Sequence, residues 1–177
     1  DNDFVSISNL HRQPLYSFED VNKKKILAAK SKLKILNPEV IIETDDIFFD
    51  DINGEELLLK TDVIIDATDN IKSRQKIDKI SKKLKIPTVY GALFRFEGQV
   101  SILNVDGSAG YSDLFPSSNT YGEDSCADAG VLSMLPAIIG NIQALEAIKL
   151  ILGINNNLIG RLLMYDGMNH KTEVIEL

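Results

Sequence analysis

Asp62-Val63-Ile64-Ile65-Asp66, running on into Ala67-Thr68-Asp69-Asn70, is the stretch on which the fold turns. Its centre is short, apolar and β-branched, the pattern of a strand buried on both faces of a parallel sheet. From Ile71 to Leu84 the apolar positions take helical spacing, and Ile86-Pro87-Thr88-Val89-Tyr90-Gly91 reads as a second strand. Strand, helix and strand in that order predict an α/β fold with a doubly wound, mostly parallel core. The polar end of the first strand presents Thr68, Asp69 and Asn70, and ligands of such sheets bind beyond the carboxyl ends of the strands, which is where Asp1, Asp69 and the Gly91 turn are expected to lie.

Upstream, Ser17-Phe18-Glu19-Asp20 is a capping sequence for a helix running to about Leu36, where Asn37-Pro38 stops it. A strand is expected from Val40 to Glu43. Downstream, Gly98 to Asn104 reads as a strand able to pair antiparallel with a neighbour. Residues 106–125 are rich in Gly, Pro, Ser and Asn, with few periodic apolar positions, and are expected to form a long, flexible crossover loop. Helical spacing resumes from Asp128 to about Leu152, with Gly153 as its stop, and two strands close the chain at Arg161–Asp166 and Lys171–Leu177. Antiparallel strands are therefore expected on the C-terminal side of the sheet. No repeat, linker or shift in composition divides the chain, so residues 1–177 are expected to form one domain.

Composition sets the outer limits. At 177 residues, 44% hydrophobic and 25% charged, the chain has the make-up of an ordinary globular domain. A net charge of −7 weighs against a general nucleic-acid binder, although Arg12, Lys23, Lys24 and Lys25 leave room for a local basic site. No apolar run approaches the roughly 18 residues of a membrane span, and the opening residues are too polar for a secretory signal, so the cytoplasm is the simplest location. Cys126 is the single cysteine, which excludes an internal disulfide and a cysteine-rich zinc site.

The opening segment concentrates the chemistry. Asp1-Asn2-Asp3-Phe4-Val5-Ser6-Ile7-Ser8-Asn9-Leu10-His11-Arg12-Gln13, with Lys25 after it, gathers two carboxylates, amides, a guanidinium and an ammonium. Arg12 offers phosphate a planar fork and Lys25 a compact charge, while Asp1 can accept hydrogen bonds from ribose hydroxyls. Together they suit a nucleoside triphosphate. Taken singly, Asp1 also reads as a turn carboxylate at a strand end, Asp69 as a helix N-cap, and Arg12 and Lys25 as solvated surface cations. His11 and His170 stand isolated and read as loop or surface residues.

The pattern D-x-D-x-V-x-x-S-N-L-x-R-Q resembles the signature of the ThiF/MoeB/HesA family, bacterial relatives of ubiquitin-activating enzymes. Asp66-Ala67-Thr68-Asp69-Asn70 with Arg74, Gly91-Ala92, Glu97-Gly98-Gln99, Cys126-Ala127-Asp128-Ala129-Gly130-Val131 and Gln143-Ala144-Leu145-Glu146-Ala147-Ile148-Lys149 continue the resemblance over essentially the whole chain. It implies a Rossmann-like fold and an adenylyltransferase that uses ATP and magnesium. The substrate implied is the C-terminal Gly-Gly carboxylate of a ubiquitin-like sulfur-carrier protein of the molybdopterin or thiazole type, activated as an acyl adenylate by a homodimer. Arg12 and Lys25 would neutralise phosphate, Asp69 would bind magnesium, and Asp1 would hold ribose. Asn9 and Gln13 would orient phosphate or carboxylate, Asp3 would support the same loop, Asn70 would join the nucleotide set, and Arg74 would brace the site or pair with a carboxylate. Cys126 matches a cysteine that takes part in sulfur or acyl transfer in some members, with a small buried or non-essential thiol as the alternative. Two further functions stay open: a cyclase that activates a carboxylate on tRNA, and a catalytically silent pairing subunit.

Two departures accompany the resemblance. A complete nucleotide-binding half begins with a strand, a glycine-rich turn and a helix ahead of the acidic residue matched by Asp1, whereas the first glycine here is Gly54. That strand-turn-helix is therefore taken as missing from the chain as given, and the segment alone is expected to bind ATP poorly and to be inactive. Many relatives also carry a zinc-binding C-x-x-C pair where Gly110 and Asp113 stand, and with no second pair near the C-terminus no structural zinc is expected.

Overall fold

The computed structural model of the chain describes residues 1–116 and 130–177. It falls into two units, Asp1–Phe49 and Asp50–Leu177.

In the first unit, short 3-10 turns at Ile7–Asn9 and Phe18–Asp20 precede helix α1, Lys25–Leu36. The expected cap forms: Asp20 Oδ2 accepts from Ser17 N and Ser17 Oγ, both at 2.9 Å. It closes the 3-10 turn rather than a long helix, because Asn22 turns left-handed at φ 67° and Phe4 and Lys24 meet in an antiparallel bridge. The helix expected from Ser17 thus starts at Lys25, and its predicted stop is kept, with Asn37 extended as its C-cap. No strand forms at Val40–Glu43; Ile41 is 86% exposed, and extended backbone with no neighbour to complete its hydrogen bonds is not a strand. Val5 and Ala28 are the buried apolar residues of this unit.

The second unit carries α2 (Gly54–Leu58), β1 (Ile64–Asp66), α3 (Ile71–Leu84), β2 (Thr88–Phe94), β3 (Glu97–Leu103), α4 (Tyr111–Leu114), α5 (Leu135–Ile151), β4 (Arg161–Asp166) and β5 (Lys171–Glu176). The strands form one sheet in chain order, β1-β2-β3-β4-β5. β1 and β2 are parallel, with Asp66 opposite Tyr90, and form the βαβ unit read from the sequence. The remaining pairs are antiparallel, so among the described strands the antiparallel C-terminal part is the larger one.

Side chains alternate across the sheet and create two cores. On one face Val89, Val100 and Ile102 pack with Leu135, Ile139 and Ala147 of α5 and with Leu158. Burial of each large aliphatic side chain contributes about 1.5–3 kcal/mol. α5 lies so close to β3 that a β-carbon at Gly98 would overlap the Ile139 side chain. On the other face Tyr90 and Leu103 meet Tyr111 of α4.

α5 starts later than its periodicity predicts. Gly130–Met134 are not helical: Gly130 has φ 68°, Val131 bridges to Arg95, and proline in the first turn marks the true start. The expected start at Asp128 lies outside the described residues. Within the described part of 106–125, α4 replaces open loop. It is held by Asp78 of α3, 3% exposed, whose carboxylate accepts from Tyr111 N (2.8 Å), Ser112 N (3.1 Å) and Asn104 Nδ2 (3.0 Å). A β-carbon at Gly110 would overlap that carboxylate, and Asp113 pairs with Lys82 at 2.7 Å. Among the described residues no helix is long and apolar enough to cross a membrane.

Candidate active site

The opening motif folds into a tight polar loop. Asp1 Oδ1 accepts from Asp3 N at 2.9 Å, and Asp3 Oδ1 accepts from Phe4 N at 2.8 Å. The other oxygen of Asp3 binds Lys25 Nζ, and the two backbones are tied by Lys25 N donating to Asp3 O at 3.0 Å. Lys25 and then the Phe4 N–H hold the Asp3 carboxyl below the usual carboxylate range. The Lys25 side chain is only 14% exposed, so its charge is fixed in place rather than left to sweep through solvent.

Arg12 stays on its own loop, donating through Nη1 to Ser8 O at 2.6 Å beside His11 Nε2 at 3.0 Å. Asn9 is buried and its Oδ1 accepts from Ser6 N at 3.1 Å, which shapes the turn that presents Arg12. Gln13 Oε1 is buried without a hydrogen-bond partner. An acceptor in that condition favours any ligand or water that can donate to it.

The second group lies at the carboxyl ends of the parallel strands, in the other unit. Asp66 is buried, and its Oδ1 accepts from Thr68 N at 2.9 Å and Thr68 Oγ1 at 2.7 Å, bending the chain out of the sheet. Arg74 Nη2 donates to Thr68 O at 2.8 Å and Gly91 O at 3.4 Å, and its guanidinium lies over the Tyr90 ring. The loop between them presents Asp69, whose exposed carboxylate meets only a long 3.4 Å contact from Asn70 Nδ2 in the described hydrogen bonding. The helix cap is Asn70, whose Oδ1 accepts from Ser73 N at 2.8 Å. The N-cap role open to Asp69 in the sequence thus belongs to its neighbour, and the carboxylate of Asp69 remains open to solution.

That carboxylate suits magnesium. Among the described residues no group of three or more His, Cys, Asp or Glu forms a cage. One open carboxylate completed by phosphate and water oxygens is a common arrangement for this hard ion. Cys126 lies outside the described residues.

Sequence reasoning left two polar anchors without a part. Gln143, 5% exposed, donates from Nε2 to Asp66 O at 2.9 Å and Val89 O at 3.1 Å. Asp78 holds α4 as described above. Gln143 was visible as an amide in a largely apolar helix, whereas an acidic residue in the amphipathic α3 looks like any solvated one.

The ThiF family model matches residues 1–177. The chain belongs to the ThiF family. Similar members include a probable molybdopterin-synthase adenylyltransferase of Porphyra purpurea, 41% identical over 179 residues, covering all of this chain and 47% of that protein. A sulfur carrier protein adenylyltransferase of Thermus thermophilus is 41% identical over 172 residues, covering 94% of this chain and 64% of that one. The chain thus spans about half to two thirds of these ThiF relatives. The crystal structure of PaaA superposes with a TM-score of 0.81 at 26% identity, over 99% of this chain and 62% of its own.

Proposed function

We propose that the protein to which this chain belongs is an ATP-dependent adenylyltransferase acting on the C-terminal Gly-Gly carboxylate of a ubiquitin-like sulfur carrier. The observation that carries it is the 41% identity to the Thermus thermophilus sulfur carrier protein adenylyltransferase across 94% of the chain. The residues support the same chemistry.

A carboxylate oxygen attacks the α-phosphorus of ATP; the new P–O bond forms as the bond to pyrophosphate breaks, and pyrophosphate leaves with the electron pair. Two anions must meet, so cations decide the rate. Lys25, held by Asp3, and Arg12 neutralise phosphate charge, while the unpartnered atom of Gln13 is its acceptor Oε1, so that atom would hold an N–H or O–H of the substrates rather than the phosphate or carboxylate oxygens expected from the resemblance. Asp1 accepts from ribose hydroxyls. Asp69 would hold magnesium, which when bound supplies further charge neutralisation at phosphate oxygens. We place no structural zinc at Gly110 and Asp113: the Asp78 carboxylate fills the space a side chain at 110 needs, and Asp113 is engaged by Lys82. On the family resemblance the reading extends to a cytoplasmic homodimer.

The test is ATP–pyrophosphate exchange by the natural full-length protein, with and without a carrier ending in Gly-Gly, beside Asp69→Asn. Carrier-dependent exchange that the substitution abolishes is expected. Exchange that ignores the carrier, or none at all from a folded protein, overturns the proposal in favour of tRNA activation or a silent subunit.

A further inference from the structure

The buried amide of Gln143 sits where the parallel ladder ends. Nε2 has two hydrogens and directs them to two carbonyls, Asp66 O on β1 and Val89 O on β2. The space exists because residue 91 is glycine: a β-carbon there would come within 2.6 Å of Gln143 Nε2. Past Asp66 the chain leaves the sheet, and the Asp66 side chain and Arg74 hold Thr68 on either side. Asp69 follows directly.

We infer that Gln143 is a positioning residue for the Asp69 loop: its amide fixes where β1 leaves the sheet and thereby where the Asp69 carboxylate stands. This rests on the proposed role of Asp69 toward a divalent cation. The geometry separates Gln143 from its neighbour in the same motif. Glu146 is equally buried, but it accepts from Leu158 N at 2.8 Å and Lys149 Nζ at 2.6 Å and so secures the segment leading to β4. Gln143→Leu removes the donors and leaves two carbonyls unanswered, whereas Glu146→Gln weakens the same helix without touching the loop.

The experiment compares the wild type, Gln143→Leu and Glu146→Gln in the natural full-length protein. It reads the half-saturating magnesium concentration in pyrophosphate exchange, the hydrogen exchange of the Thr68 and Ser73 amides, which bond to Asp66 and Asn70 on either side of Asp69, and Tm. For Gln143→Leu the half-saturating magnesium concentration is expected to rise roughly 10- to 100-fold, as for other groups that support a metal ligand, with faster exchange at both amides. Glu146→Gln is expected to lower Tm and move neither. Gln143→Asn, which keeps the NH2 but shortens its reach, carries the same test if Gln143→Leu does not fold. Equal losses of Tm from both helix variants, with magnesium dependence and amide protection unchanged, overturn the inference. If the wild type shows no pyrophosphate exchange, the proposed activity fails, and amide exchange still decides whether Gln143 holds the loop.

Discussion

Replacing Asp78 by alanine should cost more stability than any surface carboxylate in the chain. Its carboxylate is buried and receives three N–H groups, two of them from the backbone at the start of α4. Hydrogen bonds to a charged group are worth about 1.5–3 kcal/mol each, but they share one acceptor and do not add. Asp78→Ala removes the charge and leaves these N–H donors without their acceptor, at about 1–3 kcal/mol each where they are buried, so a total of about 3–5 kcal/mol is expected. In urea, with a slope of about 2 kcal/mol per molar, the unfolding midpoint should fall by about 2 M. A double-mutant cycle sharpens the test. Gly110 has φ −95° and ψ 178°, a conformation alanine adopts freely, so Gly110→Ala is costly because its methyl displaces the Asp78 carboxylate together with Asn104 Oδ1 and the end of the Lys82 side chain. That cost should be about 1–3 kcal/mol in the wild type and should shrink once Asp78 is alanine, the part due to Asn104 and Lys82 remaining. A loss below about 1 kcal/mol for Asp78→Ala, or strict additivity with Gly110→Ala, would refute the reasoning.

Asp69→Asn should reduce pyrophosphate exchange by about 100-fold or more, since charge stabilisation through a bound metal is worth several kcal/mol, while carrier binding measured by calorimetry stays as in the wild type. The Asp20 carboxyl is held far below its ordinary range by Lys32 first and by the Ser17 N–H next. A depressed carboxylate stabilises above its unfolded pKa and loses that contribution as pH falls through the folded one, so Asp20→Asn should flatten the fall in stability below about pH 4 in acid titrations followed by circular dichroism. Gly98→Ala should cost about 1–3 kcal/mol by overpacking Ile139, and Ile139→Val should recover part of it, read as paired shifts in thermal midpoint.

The parts of the fold that were legible are those in which local pattern and tertiary need agree. The β-branched run at Val63–Ile65, the periodicity of Ile71–Leu84 and the two closing strands fall within a few residues of β1, α3, β4 and β5. Val40–Glu43 has strand composition but no neighbour, and pairing cannot be read from one segment. Ser17–Asp20 gave a sound cap but not the length of what it caps, because Asn22 reverses the chain five residues later by adopting a left-handed conformation. At the candidate site, residue types and the family resemblance singled out Asp3, Arg12, Lys25 and Asp69 as candidates, but not which carboxylate fixes Lys25 or that Asn70 rather than Asp69 caps α3. Those assignments depend on side-chain direction, which composition and spacing do not contain.

The sheet's chain-order arrangement has a kinetic consequence. β2 and β3 are joined through Arg95 and Phe96 alone, and β4 and β5 by a turn in which Asp166 Oδ1 accepts from Met168 N and Asn169 N. Hairpins of this size close in about 1–10 μs. The seam between β3 and β4 joins Ser101 to Leu162 and must wait for the long intervening chain, α5 included, to be gathered in. Loop closure over such a span is unfavourable until its contacts form, so two early hairpins should meet in a late, rate-limiting zipping of β3 onto β4. Substitutions at Val100 or Leu163 along that seam should therefore alter the refolding rate more than changes at the tip of either hairpin.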